Sequence, residues 1–160
     1  MGADIHALYE VHKTYPHFYD DTSQPPLQKW EVAGQPSNLR NYYWFAALAG
    51  VRNYHNCPVA PVTPLITSYI GLGYHNLWDL RLSEASHALL EYNDDLHSIG
   101  MLTLQQAEDF SPTLYAWASS QDGLPGFTEQ WDIMLLEMRH IATQHAVSPS
   151  EVRIIFGFDS

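Results

Sequence analysis

Hydrophobic and polar residues alternate near the start of the chain, a pattern typical of a β-strand. Across residues 4–11, one face of an extended chain carries apolar side chains, and the opposite face carries Asp4, His6, Leu8 and Glu10. A second short strand is predicted over residues 29–32, just before Gly34 and Pro36. The polar, proline-containing stretch 16–26 between the strands is predicted to be a loop, and the two strands are expected to pair as a hairpin.

Two helices are predicted in the middle of the chain from the residue types that begin and end helices. Ser37 or Asn38 can cap the first helix, and Gly50 is placed to stop it because glycine adopts the left-handed conformation at little cost. Ser83 can cap the second helix. Residues 53–76 carry three prolines and no clean period, so they are predicted to form a long surface connection of the kind that often lines sites.

Two further helices and a strand are predicted in the second half of the chain. Thr103 and Gln106 have the spacing of a capping box, and the short helix that they open is expected to end at Pro112. The clearest 3.6-residue period runs over residues 128–147. Residues 152–158 are hydrophobic on both faces except at one arginine, which predicts a central strand.

Together these elements predict an α+β fold. We expect a small mixed or antiparallel sheet in which the N-terminal and C-terminal strands are central, with about four helices packed on it. One domain spanning residues 1–160 is expected, because this length suits a single hydrophobic core. Five Trp, ten Tyr and six Phe supply large apolar area for that core.

The charge and cysteine content limit the classes of partner. The net charge is −11, and seven Lys and Arg residues face eighteen carboxylates, so a nucleic-acid polymer would mostly be repelled. A small anionic ligand needs only two or three arginines and stays compatible with this balance. Cys57 is the sole cysteine, which precludes an intrachain disulfide and favours a reducing compartment. No apolar run approaches the length of a membrane span, so no membrane partner is expected.

Candidate chemistry is concentrated in two short clusters. Asp4 and His6 are expected on one face of the first strand, where the carboxylate could orient the imidazole or both could hold a divalent metal. A satisfied structural network is the alternative for this pair. His97 and Ser98 form the second cluster, for which the alternative is an ordinary loop histidine.

Separated blocks along the chain carry a family resemblance. They are the opening Met-Gly-Ala-Asp-Ile-His, the Arg-Asn-Tyr block at 40–53, the pair at 71–72, the His-Ser block at 97–104 and the final strand at 152–159. In these blocks the chain resembles an uncharacterised family of small bacteriophage and prophage proteins that usually begin Met-Gly-Cys-Asp-Ile-His. Ala3 replaces the cysteine, so a thiol there cannot act as nucleophile. Ile99 and Met101 replace the second histidine and the tryptophan of the His-Ser block, which argues against a mechanism that needs both histidines.

The resemblance implies expression in the cytoplasm of an infected bacterial host. Small phage proteins often disarm host defences, and several defences signal through small nucleotides, so the resemblance implies action on such a nucleotide. The predicted catalytic residues are Asp4, His6 and His97, with Asp4 and His6 as the ligands if a divalent metal takes part. Phosphate partners are predicted at Arg40, Arg52 and Arg153, base stackers at Tyr42 and Trp44, and further ligand contacts at Glu10 and Ser98.

Three mechanisms stay open from the sequence. A hydrolase would use a histidine as general acid or base in phosphodiester cleavage. A sponge would sequester the nucleotide intact, in a homo-oligomer whose interface forms the pocket, and the abundant Tyr and Trp favour it. An acidic inhibitor would instead bind a host defence protein, for which the support is the net charge of −11.

Overall fold

The structure is a computed structural model, and it describes residues 4–15, 27–37, 39–65, 82–91, 95–121 and 126–159. At four positions it describes the backbone alone: Leu27, Gln28, His87 and Glu91. The described residues place five strands in one sheet, in the order β2-β1-β5-β4-β3. The strands are β1 (Ile5–Tyr15), β2 (Leu27–Gly34), β3 (Thr63–Pro64), β4 (His97–Thr103) and β5 (Val152–Phe158).

Every pairing in the sheet is antiparallel. The predicted hairpin of β1 and β2 is confirmed, and β5 lies between β1 and β4 as the central strand. All seven residues of β5 are buried, which agrees with the hydrophobic character of the strand on both faces. The predicted α+β fold, with its N-terminal and C-terminal strands in the middle of the sheet, is therefore confirmed.

Four α-helices are present among the described residues: α1 (Tyr43–Ala49), α2 (Glu84–Glu91), α3 (Leu104–Ser119) and α4 (Phe127–His145). A short 3₁₀ helix, Pro149–Glu151, leads into β5. Within these described segments, no helix combines the length and the apolar character that crossing a membrane requires.

The larger core lies between one face of the sheet and helices α1, α3 and α4. The 3.6-residue period of α4 places Trp131, Met134 and Met138 in this core. From the sheet, alternate residues of the two central strands meet them: Tyr9 and Val11 of β1, and Val152, Ile154, Phe156 and Phe158 of β5. Helices thus cover the two central strands on this face of the sheet.

The opposite face of the sheet carries a smaller cluster. Leu82 and Leu90, at either end of the α2 region, pack with Ile99 and Ile155 of the sheet. Glu10 reaches the same region, where its carboxylate accepts a hydrogen bond from the Ser83 backbone N–H at 2.7 Å. Helix α2 is thereby fixed to the face of β1 that also carries His6.

Several predicted helix signals are found in the structure. Gly50 ends α1 in the left-handed conformation, with φ of 66°, and its N–H bonds to the carbonyls of the last turn. Thr103 and Gln106 form the predicted capping box at the start of α3. Ser83 accepts from the Ser86 N–H at 3.1 Å, as expected of the residue before α2.

Three expectations about local structure were wrong. Helix α3 continues through Pro112 to Ser119, because packing on α4 supports it and the Trp131 indole N–H donates to Ser111 at 2.9 Å. Residues 97–98 belong to strand β4 and are not part of a loop. Ser37 does not cap α1, which begins at Tyr43, while Asn38 lies outside the described residues. The predicted loop 16–26 and residues 66–76 of the predicted connection 53–76 also lie outside them.

Candidate functional site

The pairing of β1 with β5 brings together side chains from the two ends of the sequence. His6 lies opposite Gly157, and Asp159 follows directly after β5. The Nε2 atom of His6 is 2.6 Å from Oδ2 of Asp159. The backbone N–H of Asp4 donates to Oδ1 of Asp159 at 2.8 Å, and the Asp159 N–H donates to the Asp4 carbonyl at 3.0 Å. We call His6 and Asp159 the dyad.

The hydrogen bonds to Asp159 favour its ionised form. The hydrogen bond from His6 is the main cause that lowers the pKa of the Asp159 carboxyl below its ordinary value, and the Asp4 N–H and the charge of His97 lower it further. Asp159 is therefore a carboxylate near neutral pH. Because this carboxylate accepts from Nε2–H, Nδ1 of His6 is the ring nitrogen left to accept a proton. About a third of each side chain is exposed, so solvent and small molecules reach the dyad.

His97 lies on the other side of β5 from His6. It faces Phe158 in the pairing of β4 with β5, and the two ring centroids are 6.3 Å apart. A shift of register follows His97, and Ser98 has a φ of 51°, in the left-handed region. The Nδ1 atom of His97 is 3.1 Å from the Ser98 hydroxyl. The two predicted catalytic histidines thus flank the end of β5 that carries Asp159.

A groove of about 440 Å³ opens beside His6, and we call it the dyad groove. One wall is the start of β1, from Asp4 to Leu8, and the other wall is formed by the segment that follows β2, including Gln35 and Arg40. Arg40 is an exposed residue, so the groove presents a cation within a chain of strongly negative net charge. Asp4, His6 and Arg40, three of the predicted site residues, therefore border one groove.

The outer wall of the dyad groove is held in place by α4. Oε1 of Glu137 accepts hydrogen bonds from the Ser37 hydroxyl at 3.1 Å and from the Ser37 N–H at 3.3 Å. The Tyr9 hydroxyl donates to the same oxygen at 3.3 Å. Burial, followed by the charge of Glu137, raises the pKa of the Tyr9 phenol, so this phenol stays a donor.

Two further depressions continue from the dyad groove. A small one of about 180 Å³ shares Asp4 and Arg40 with the groove and reaches Tyr42. Tyr42 also lines a third depression of about 620 Å³, formed with Tyr43, Arg52, Tyr54 and His55, which we call the aromatic cleft. The three depressions are neighbours, because each shares lining residues with the next.

Three residues predicted to bind ligand lie in the interior, and these predictions are corrected. Trp44 is fully buried, stacks on Trp131 at 5.6 Å between centroids and donates its indole N–H to a glutamine of α4 at 2.8 Å. Its ring faces are covered, so it cannot stack on a base. Glu10 and Arg153 form a buried ion pair at 2.7 Å, and the guanidinium also lies 3.8 Å from the ring centre of Trp30. Both charged groups are used in holding the sheet together.

Arg52, a predicted phosphate partner, lines the aromatic cleft. Its guanidinium lies over the ring of Tyr42, 5.7 Å from the centroid, and 5.9 Å from that of Phe45. It belongs to the aromatic cleft and lies away from the dyad. Burial alone raises the pKa of the Cys57 thiol to about 11, so this buried cysteine is not a reactive thiolate.

The sequence patterns missed Asp159, Tyr54 and His55 as site residues. Asp159 is separated from His6 by most of the chain, and only the pairing of β1 with β5 brings the two side chains together. Tyr54 and His55 lie in the surface connection that was predicted to line sites, but no pattern singled them out. In the part of the chain that the structure describes, no group of three or more His, Cys, Asp or Glu side chains is placed to hold a metal ion. The divalent metal at Asp4 and His6 stays a prediction.

Comparisons of the chain with protein-family models, with curated proteins and with solved structures found no match.

Proposed function

We propose that the protein acts on a small nucleotide in the dyad groove, by hydrolysis of a phosphate ester. The observation that supports this most is the His6–Asp159 pair at 2.6 Å, whose histidine lines the same groove as Arg40. A histidine oriented by a carboxylate can act as a general base, and an arginine can bind a phosphate oxygen. The seven Lys and Arg of the whole chain suit a ligand with one or a few phosphates better than a polymer.

The chemistry assigns one role to each group. Nδ1 of His6 accepts a proton from a water molecule as the water oxygen attacks phosphorus, and Asp159 stabilises the resulting imidazolium. The bond from phosphorus to the leaving oxygen breaks, and the leaving oxygen receives a proton from the His6 imidazolium. Arg40 stabilises the negative charge that develops on the phosphoryl oxygens. Asp4 contributes through its backbone, which holds Asp159 in place.

The biological setting of this proposal comes from the resemblance to phage proteins. On that basis the substrate is a host immune signalling nucleotide, and its removal in the cytoplasm of an infected bacterium would silence a defence.

Sequestration without cleavage is the second candidate function. The observation that favours it is the aromatic cleft, where the side chains of Tyr42 and Tyr54 are 57% and 82% exposed beside Arg52. Exposed aromatic rings bind planar ligands without any chemistry. A sponge of this kind would retain the nucleotide intact, alone or in a homo-oligomer.

A single experiment separates these functions. Purified protein is incubated with a panel of cyclic oligonucleotides and cyclic ADP-ribose isomers, and free and heat-released nucleotides are measured by liquid chromatography. New product peaks are expected for a hydrolase, and loss from the free pool with intact release on heating is expected for a sponge. A panel that stays unchanged and unbound contradicts both and leaves the acidic inhibitor of a host protein.

Two variants and a control test the role of the dyad. His6→Gln is expected to lower turnover by about 10²- to 10⁴-fold, the usual contribution of a general base, while the protein stays folded by circular dichroism. Asp159→Asn is expected to lower turnover less, because the imidazole remains. His145→Gln, at the end of α4, is the matched control and should behave as wild type. Equal turnover in His6→Gln and His145→Gln would exclude His6 as the base.

A further inference from the structure

The aromatic cleft is built from side chains whose positions are fixed by neighbouring elements. Tyr43 packs with its ring 5.7 Å from that of Phe127 and 6.0 Å from that of Trp117, so the floor of the cleft rests on α3 and α4. The His55 ring lies 5.9 Å from Tyr43, and the His55 carbonyl accepts from the Trp117 indole N–H at 3.0 Å. The floor is therefore rigid before any ligand arrives.

The turn that carries Tyr54 and His55 is closed by a reciprocal pair of hydrogen bonds. Oδ1 of Asn53 accepts from the Cys57 N–H, and Nδ2 of Asn53 donates to the Cys57 carbonyl, both at 2.7 Å. The side chain of Tyr54 nevertheless remains 82% exposed. The closed turn fixes the backbone from which the Tyr54 ring projects, so little backbone entropy is lost when the ring binds a ligand.

The chemistry of the lining selects the class of ligand. Tyrosine rings and a guanidinium both stack on planar, electron-rich rings, and Arg52 already lies over the ring of Tyr42. A cationic ligand would be repelled by Arg52, and an aliphatic or sugar ring could pack on Tyr42 and Tyr54 but would lack the π-stacking that a planar ring gains. The lining therefore suits a neutral or anionic heteroaromatic ring.

We propose that the aromatic cleft is the base subsite of the nucleotide site, with the nucleobase stacked on Tyr54 and Tyr42. This assignment rests on the proposed function for the identity of the ligand. Tyr42 lines both the cleft and the small depression that contains Arg40. A nucleotide whose base lies on Tyr42 can therefore direct its phosphate to Arg40 and to the dyad groove beyond. In this arrangement the cleft determines specificity and the dyad performs the chemistry.

Three kinds of probe, each carrying a different part of a nucleotide, test this assignment by isothermal titration calorimetry. Adenosine and guanosine carry a base without phosphate, ribose 5-phosphate carries a phosphate without base, and AMP and GMP carry both. Tyr54→Ala is expected to lower the affinity for nucleosides and nucleotides by about 5- to 150-fold, the usual contribution of one base–aromatic stack. The affinity for ribose 5-phosphate should be unchanged. Tyr54→Phe keeps the ring and is expected to restore binding.

A matched control removes another exposed apolar side chain. Leu136 of α4 is 61% exposed and lies outside the cleft, so Leu136→Ala should bind every probe as wild type does. Arg40→Gln should lower the affinity for ribose 5-phosphate and for the nucleotides but not the affinity for the nucleosides. Equal nucleoside affinity in wild type and Tyr54→Ala, or no nucleoside binding at all, would overturn the base subsite. Nucleoside binding that depends on Tyr54 without any turnover would support the subsite and contradict only the proposed hydrolysis.

Discussion

Removal of the Glu10 carboxylate should strongly destabilise the fold. The carboxylate accepts from Nε and Nη2 of Arg153 at 2.8 and 2.7 Å, and from the Ser83 N–H at 2.7 Å. The Glu10 side chain is 0% exposed and that of Arg153 is 6% exposed. Burial lowers the pKa of Arg153, and Glu10 opposes this by favouring the charged form. Glu10→Ala would leave a buried guanidinium without its carboxylate.

The size of this effect follows from two costs. A buried charge that loses its partner costs about 3–5 kcal/mol, and a buried N–H without an acceptor costs about 1–3 kcal/mol. Because water entering the cavity lessens both costs, we expect Glu10→Ala to lower the free energy of unfolding by about 4–6 kcal/mol. That is a large share of the roughly 5–15 kcal/mol that stabilises a typical domain.

Urea unfolding followed by circular dichroism measures this loss. Glu108 is the matched control, because it forms an ion pair of 2.9 Å with Arg139 on the surface, where Glu108→Ala should cost at most about 1 kcal/mol. The double variant Glu10→Gln/Arg153→Met removes both charges and should be more stable than Arg153→Met alone. Similar losses of unfolding free energy in Glu10→Ala and Glu108→Ala would refute the conclusion that the Glu10–Arg153 pair is shielded from water.

Three further substitutions test other parts of the structure. Gly100→Ala places a methyl group 2.4 Å from Cγ1 of Val62, so the free energy of unfolding should fall by about 1–3 kcal/mol in urea unfolding. Thr103→Ala removes the side-chain cap of α3 and should lower the melting temperature, at a cost of about 0.5–2 kcal/mol. The hydrogen bond from His6 lowers the pKa of Asp159 in the folded protein. The ionised Asp159 carboxylate therefore stabilises the fold at pH values above the ordinary carboxyl pKa of about 3.9. This contribution is lost as the pH falls through the lowered pKa of the folded state. Asp159→Asn should therefore lose less stability than wild type on acidification, as measured by unfolding at a series of pH values.

Each of these predictions has its own control. Val62→Ala combined with Gly100→Ala should recover part of the lost stability, and no recovery would contradict the clash. Thr113→Ala changes an exposed threonine within the same helix and should have little effect. Asp109→Asn changes an exposed carboxylate that accepts a hydrogen bond from the Gln105 side chain at 2.9 Å. An acid profile altered equally by Asp109→Asn and Asp159→Asn would contradict the role of His6.

The elements predicted well are those whose signals are local. Strong periodicity located α4, hydrophobic character on both faces located β5 and its central position, and the capping residues located the starts of α2 and α3. The failures arise where tertiary contacts override a local signal. Pro112 is tolerated within α3 because α4 packs along that helix and Trp131 binds Ser111. Strand β4 carries Gly100 and a shift of register, so its alternation is too irregular to detect from sequence.

Only part of the candidate site was predicted, because tertiary contacts decide which side chains meet and local patterns do not show them. His6 and Arg40 were identified by type and position, and the structure places both beside one groove. Trp44 was assigned to a ligand because its aromatic type suits stacking, but the sequence does not show whether a tryptophan on a short helix faces solvent or core. Asp159 could be assigned to the dyad only once the register of β1 against β5 was known.

The order of the strands also has a consequence for how the molecule is made. Strand β5 is the last strand in the sequence, yet it separates β1 from β4 in the sheet. During synthesis β1 can pair with β2, but the sheet cannot become continuous until Val152–Phe158 has left the ribosome. Loop closure over almost the whole chain should make folding slow for a domain of this size. Asp159, the partner of His6, directly follows this strand, so the dyad forms only after the sheet is complete.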